Sequence, residues 1–200
     1  MKKLNLPNKI TLARIFLSFL IIMLFVLPWN EMGLEWPIYV YRNIIIDLKY
    51  IIGGILFVIA ASSDFVDGYI ARKHNLVTDF GKVADAIADK ILVNGLLVIL
   101  AFERNIPVIV PVVIITRDTI TDSIKMIVGN KGKAVGASIL GKIKTAFMMV
   151  GLTLTLFYNL PFEIWSINVS EILIIIATVL SVVSGVEYYA LSKDIIFKDS

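Results

Sequence analysis

The chain alternates long apolar runs with short polar ones. Six windows, roughly residues 10–28, 43–63, 82–102, 106–126, 138–158 and 170–191, are dominated by Leu, Ile, Val, Phe and Ala. Each approaches the about 20 residues that a helix needs to cross a hydrocarbon layer. The pattern predicts an all-α integral membrane protein of about six transmembrane helices, a single membrane domain over residues 1–200 without a soluble module. No internal repeat or low-complexity tract interrupts it. Two polar stretches stand out: Ser62 to Lys90, and Asn130 to Lys144, the latter read as a glycine-punctuated loop leading into the fifth helix.

Composition agrees with the pattern. Hydrophobic residues make up 58% of the chain and charged ones 18%, with a mean hydropathy of +0.86, above what a soluble core needs. The first apolar run follows Met1-Lys2-Lys3, as in a secretory signal, but it carries Arg14, lacks a small-x-small cleavage pattern and leads into further spans. A retained first helix is expected. There is no cysteine, which excludes disulfides, thiolate nucleophiles and thiolate metal sites. The single histidine, His74, cannot build a zinc site alone and reads as a solvated loop residue.

Charge then orients the chain. Lys2, Lys3, Lys9, Arg14, Arg72, Lys73, Lys82, Lys125, Lys131, Lys133, Lys142, Lys144, Lys193 and Lys198, fourteen of nineteen basic residues, fall on one side. The other side holds only Arg42, Lys49 and Arg104, and Lys90 and Arg117 fall inside spans. The positive-inside tendency places both termini in the cytoplasm. Trp29, Trp36 and Trp165, with Tyr39 and Tyr41 nearby, fall in the loops of the outer side, as an interfacial aromatic belt requires.

Four aspartates interrupt this oily chain in "SSDFVDGYIARKHNLVTDFGKVADAIADK", Ser62 to Lys90. Asp64, Asp67, Gly68, Ala71 and Arg72 are spaced i, i+3, i+4, i+7 and i+8, which lines them along one helical stripe. Gly81, Asp85 and Asp89 recur at i, i+4 and i+8 on the next helix. Two neighbouring helices can thus aim four carboxylates at one point. Such a group repels itself and is costly to desolvate, so something positive must sit among them. Oxygen-only ligands select magnesium, manganese or calcium over zinc and copper. Gly68, Ala71 and Gly81 leave room for a phosphorylated ligand to approach the backbone, although close helix packing uses small residues too. Solvated helix ends would account for one or two of the aspartates, notably Asp85 near a helix N-terminus.

The pattern Asp64-x-x-Asp67-Gly68-x-x-Ala71-Arg72, then eight residues, then Gly81-x-x-x-Asp85-x-x-x-Asp89, resembles the signature of the CDP-alcohol phosphatidyltransferases, with every signature position filled. The resemblance implies attack by an alcohol on the β-phosphorus of a CDP-linked lipid, with release of CMP. It implies that Asp64, Asp67, Asp85 and Asp89 hold two Mg2+ or Mn2+ ions and that Asp89 is also the general base. It further assigns CDP-diacylglycerol contacts to Asp64, Gly68, Ala71, Arg72 and Gly81. A homodimer in the lipid bilayer of the cell membrane is expected, with the active site facing the cytoplasm and no nucleic-acid partner.

The acceptor alcohol must be read elsewhere. Arg117 lies inside the fourth window, where a cation is costly unless it faces a cavity, an anion or a partner such as Asp118 or Asp122. Lys125 follows two turns later. Ser138, Lys142 and Lys144 lie in "ASILGKIKT", where a phosphate would find a hydroxyl and two ammonium groups, although Lys142 and Lys144 also suit positive-inside anchoring. "LPNKITLAR", Arg117-Asp118, "ASILGKIKT" and "SGVEYY" resemble the branch of the family that uses glycerol 3-phosphate, with Lys125 and Asp118 standing where arginine and glutamate are usual. Lysine keeps the charge but loses the bidentate fork. Glycerol 3-phosphate is therefore the expected acceptor; inositol phosphate and phosphatidylglycerol are the alternatives, and a cation transporter built on the aspartates is the competing class. Asn8 reads either as a helix cap or as a site residue, and Thr11 and Arg14 either border the site or contact headgroups.

Overall fold

The computed structural model describes residues 5–41, 44–74, 76–133, 136 and 138–197. Lys2, Lys3, Arg42 and Lys198, which entered the charge count, lie outside the described residues. Six long helices follow the six windows: α1 (Leu6–Val26), α2 (Leu48–Lys73), α3 (Asp79–Phe102), α4 (Ile109–Asn130), α5 (Ile139–Leu156) and α6 (Val169–Phe197). Four helices, α1, α2, α5 and α6, are long and apolar enough to cross a membrane. The other two are of similar length but carry charges over one half, Asp79 to Lys90 in α3 and Arg117 to Lys125 in α4.

Two boundaries differ from the sequence expectation. Within the second window, residues 44–47 are not the start of a helix: β1 (Ile38–Tyr41) and β2 (Ile44–Asp47) form an antiparallel pair with Ile38 opposite Asp47, and residue 43 lies outside the described residues. The β-branched run of Ile44, Ile45 and Ile46 suits a strand as well as a membrane helix. Asp47 then decides the boundary, because its carboxylate accepts the Lys49 N–H at 2.8 Å and caps α2. At its other end α2 continues to Lys73, so Asp64, Asp67 and Arg72 ride on the last turns of a spanning helix. Asn5, Thr78 and Ser138 cap α1, α3 and α5 in the same way.

The core centres on α3, whose Ala88, Leu92, Leu96, Leu97 and Leu100 are all but inaccessible. Ile21 of α1, Phe57 and Ala60 of α2, Leu152 and Leu156 of α5 and Ile174 and Ala177 of α6 close around it. Between membrane helices packing rather than water exclusion drives association, and small residues permit close approach. An added Cβ at Gly53 would lie 2.6 Å from the Phe25 ring, and one at Gly151 would lie 2.7 Å from Ile174 Cγ1 and 3.3 Å from the backbone of α6. The outward surface is apolar as well, with Phe16, Phe65, Phe102 and Val186 each more than half exposed. So much exposed apolar side chain requires lipid around it. At the hairpin end, Trp29 and Trp36 meet edge to face at 5.6 Å, and Trp29 Nε1 donates to Leu24 O at 2.7 Å.

Gly151→Leu should destabilise the protein by about 1–3 kcal/mol, the cost of overpacking. Gly129→Ala, which meets open space, should stay within about 0.5 kcal/mol. Denaturation of both variants in detergent micelles measures the difference.

Candidate active site

The end of the bundle opposite the Trp29–Trp36 pair gathers the charges. α1 contributes Arg14, whose side chain is 1% exposed, the largest fully buried side chain among the described residues. Its Nη1 donates to Asp64 on α2 and its Nη2 to Asp85 on α3. Nη2 also lies 3.5 Å from Asp67 Oδ2 as an ion pair, and that oxygen accepts a hydrogen bond from Thr11 Oγ1 at 3.0 Å. The positive partner that the aspartates require is thus supplied in part by the chain itself. A guanidinium this deeply buried needs charged partners, because removing one would leave an uncompensated charge away from water.

Asp64, Asp67 and Asp85 each offer a carboxylate oxygen, all within 4.8 Å of one another. Ligands at about 2.1 to 2.6 Å from a shared ion lie no more than about 5 Å apart, and an all-oxygen set suits a hard divalent cation. The cluster therefore fits a metal. Asp89 stands one turn further along α3 and lies outside this group of three.

Two clefts open on either side of the aspartate end of α3. The first, of about 190 Å³, is lined by Asn8, Thr11, Asp67, Gly68, Ala71, Arg72, Gly81 and Asp85 among others. Its wall is tied across 70 residues: Asn8 Nδ2 donates to Thr78 Oγ1 at 3.1 Å, and Thr78 Oγ1 accepts the Gly81 N–H at 3.0 Å. Asn8 is not the helix cap; Asn5 accepts the Asn8 N–H at 3.1 Å, which frees the buried Asn8 amide for the cleft. A Cβ at Gly81 would lie 2.7 Å from Asn8 Oδ1, so the glycine is needed for this packing. At Gly68 the nearest atoms to an added Cβ belong to the Arg72 guanidinium, at an ordinary contact distance of 3.5 Å, and the position lines the cleft.

The second cleft, of about 310 Å³, is lined by Asp89, Lys90, Arg117, Asp118, Asp122, Lys125, Ser138 and Lys144, with Gly141, Ser184 and Tyr188 nearby. Asp118 is shared by Arg117 Nη1 at 2.9 Å and Lys144 Nζ at 3.1 Å. Asp122 is shared by Lys90 and by Lys125 at 3.4 Å. Four cations thus face three carboxylates, two of them bridging, which leaves a small positive surplus for a phosphate. Arg117 also donates through Nε to Ser181 O at 3.0 Å and through Nη2 to Ser184 Oγ at 2.8 Å. It combines the two sequence readings, being paired with Asp118 and facing a cavity. Ser138 Oγ accepts the Gly141 N–H at 3.1 Å, which leaves its own hydrogen to donate. Lys142 is exposed and does not line the cleft.

Sequence reasoning missed Thr78 and the role of Lys90, and it offered Asp122 as a partner of Arg117, whereas Asp122 pairs with Lys90 and Lys125. Thr78 was discoverable as the residue three before Gly81, the spacing of a helix cap. Lys90 was visible as a cation inside an apolar window, but its partner on α4 was not. Gly81→Ala should disrupt the Asn8–Thr78 contact and lower the midpoint of thermal unfolding in micelles, whereas Gly68→Ala should fold as well as wild type.

Comparison with known proteins is in keeping with this geometry. Residues 4–183 match the family described as CDP-alcohol phosphatidyltransferase. A Bacillus subtilis protein named CDP-diacylglycerol–glycerol-3-phosphate 3-phosphatidyltransferase is 42% identical over 190 residues, covering 93% of this chain and 94% of its own. Relatives of the same name are 36% identical over 171 residues in Mycoplasma genitalium, covering 85% of this chain and 70% of that protein, and 35% identical over 190 residues in Rickettsia typhi, covering 94% and 97%. With most of its length matched and both helices of the aspartate signature in place, this chain belongs to the CDP-alcohol phosphatidyltransferase family.

Proposed function

We propose that the protein transfers the phosphatidyl group of CDP-diacylglycerol to sn-glycerol 3-phosphate, giving phosphatidylglycerol phosphate and CMP. The observation that carries this reading is the position of α3, which presents Asp85 to the first cleft and Asp89, one turn later, to the second. A donor nucleotide in one and a phosphorylated alcohol in the other would meet at these two carboxylates. The names of the relatives support the choice of acceptor.

In this reading the first cleft takes the CDP group. Gly68 and Ala71 admit the cytidine, Asn8 and Thr11 border it, and Arg72 faces the pyrophosphate. Two magnesium or manganese ions held by Asp64, Asp67, Asp85 and Asp89 would supply charge neutralisation at the pyrophosphate and the leaving CMP. Arg117, Lys125, Ser138 and Lys144 hold the acceptor's phosphate and so orient its free hydroxyl toward α3. Asp89 takes the hydroxyl proton as the oxygen attacks the β-phosphorus. The new phosphodiester bond forms as the bond to CMP breaks.

The site belongs at the cytoplasmic face of the cell membrane, with both termini on that side in a single multi-pass domain, and the enzyme works as a homodimer. The distribution of basic residues supports this orientation. Because the chain has no cysteine, single cysteines report sidedness directly. Lys73→Cys should react with a membrane-impermeant maleimide only in inverted vesicles, and Asn30→Cys only in intact cells.

Purified protein with CDP-diacylglycerol, glycerol 3-phosphate and Mg2+ should release CMP; no release with any phosphorylated polyol would refute the reaction. Asp89→Asn should lower kcat by about 10²- to 10⁴-fold, the range of a general base. Lys144→Ala should act mainly on KM for glycerol 3-phosphate, and inositol phosphate and phosphatidylglycerol tested in parallel decide the acceptor.

A further inference from the structure

Arg14 touches the clustered aspartates in a selective way. It takes Oδ1 of Asp64 with one terminal nitrogen and Oδ1 of Asp85 with the other. Asp67 is held through Oδ2, by Thr11 and by Arg14. One oxygen of each carboxylate is thereby engaged from the α1 side. The guanidinium is 1% exposed, whereas the side chains of Asp64 and Asp85 are 42% and 49% exposed. The cation therefore lies behind the cluster and the carboxylates lie between it and the open side. Arg14 Nε is buried without a hydrogen-bond partner among the described residues, so the plane of the fork is set by the aspartates it bridges.

Two helices carry these ligands, and only a group reaching both can fix the separation of Asp64 from Asp85. A planar guanidinium with donors in a rigid fork does this; an ammonium group is a point charge and does not. We propose that Arg14 is the positioning residue of the cation site, a fork that pins one oxygen of each aspartate and turns the remaining oxygens toward the donor's pyrophosphate. The proposal rests on the cation reading of the site given above.

Two effects of removing Arg14 have opposite signs. Loss of a positive charge beside the aspartates favours cation binding through Coulomb attraction. Loss of an outer partner that orients the ligands weakens it, commonly by about 10- to 100-fold. The sign of the change therefore separates a positioning fork from a competing counter-charge.

The test is Mn2+ binding to the full-length protein in lipid nanodiscs, followed by electron paramagnetic resonance, for wild type, Arg14→Gln and Arg14→Lys. Both variants should bind Mn2+ about 10- to 100-fold more weakly, the lysine variant included although it keeps the charge. Binding by either variant as tight as wild type, or tighter, would overturn the proposal. A second measurement needs no variant. With 15N-labelled arginine, the exchange-protected guanidinium signal of the buried Arg14 should persist at saturating Mg2+, and its loss would show that the cation displaces the fork. Wild-type protein that binds no Mn2+ would refute the cation reading itself, which keeps the two failures apart.

Discussion

A carboxylate near the hydrocarbon layer has to be given a partner, and the charged end of this bundle is arranged around that need. Arg14 on α1 reaches across to Asp64 and Asp67 on α2 and Asp85 on α3. One side chain thus links three helices, at a depth where a broken pair would leave an uncompensated charge. The same rule governs the other side of α3, where Asp118 and Asp122 each hold two cations. What differs is the balance. Carboxylates outnumber the guanidinium in the first group and cations outnumber carboxylates in the second, so the first favours cations and the second favours a phosphate.

α3 joins these two environments. Its far half is plain core, with Leu92, Leu96, Leu97 and Leu100 buried on successive turns, and this fixes the helix rigidly. Its near half carries Asp85 and Asp89 toward different clefts. On the proposed reading, two reactants lying against consecutive turns of one well-packed helix would be held in reacting orientation. The small residues do separate work. Gly81 makes space for Asn8, and Gly68 leaves a position where an added Cβ would meet the Arg72 guanidinium at ordinary contact distance.

Much of the fold was legible because hydrophobic windows of spanning length have few other uses, and each of the six overlaps a helix. The hairpin of Ile38 to Asp47 was not, because an isoleucine run serves strand and membrane helix alike until the Asp47 cap is seen. Within the site, the stripe of Asp64, Asp67, Gly68, Ala71 and Arg72 could be read from helical spacing. Asn8 could not be separated from a cap by sequence, since Asn5 offered the same chemistry three residues earlier.

The sequence by itself determined the membrane class, the six helices and the carboxylates that share a face, because hydropathy and helical periodicity act along the chain. Tertiary structure alone decided which charges meet. Arg14 is 50 residues from Asp64 and 71 from Asp85, and Lys90 is 32 from Asp122. No local period carries such distances; they follow from how α1, α2, α3 and α4 pack. That packing decides between the two readings of Arg14, site border or headgroup contact, by making it the buried counter-charge of the aspartates, and it leaves Lys142 outside a cleft that its spacing had suggested it would share.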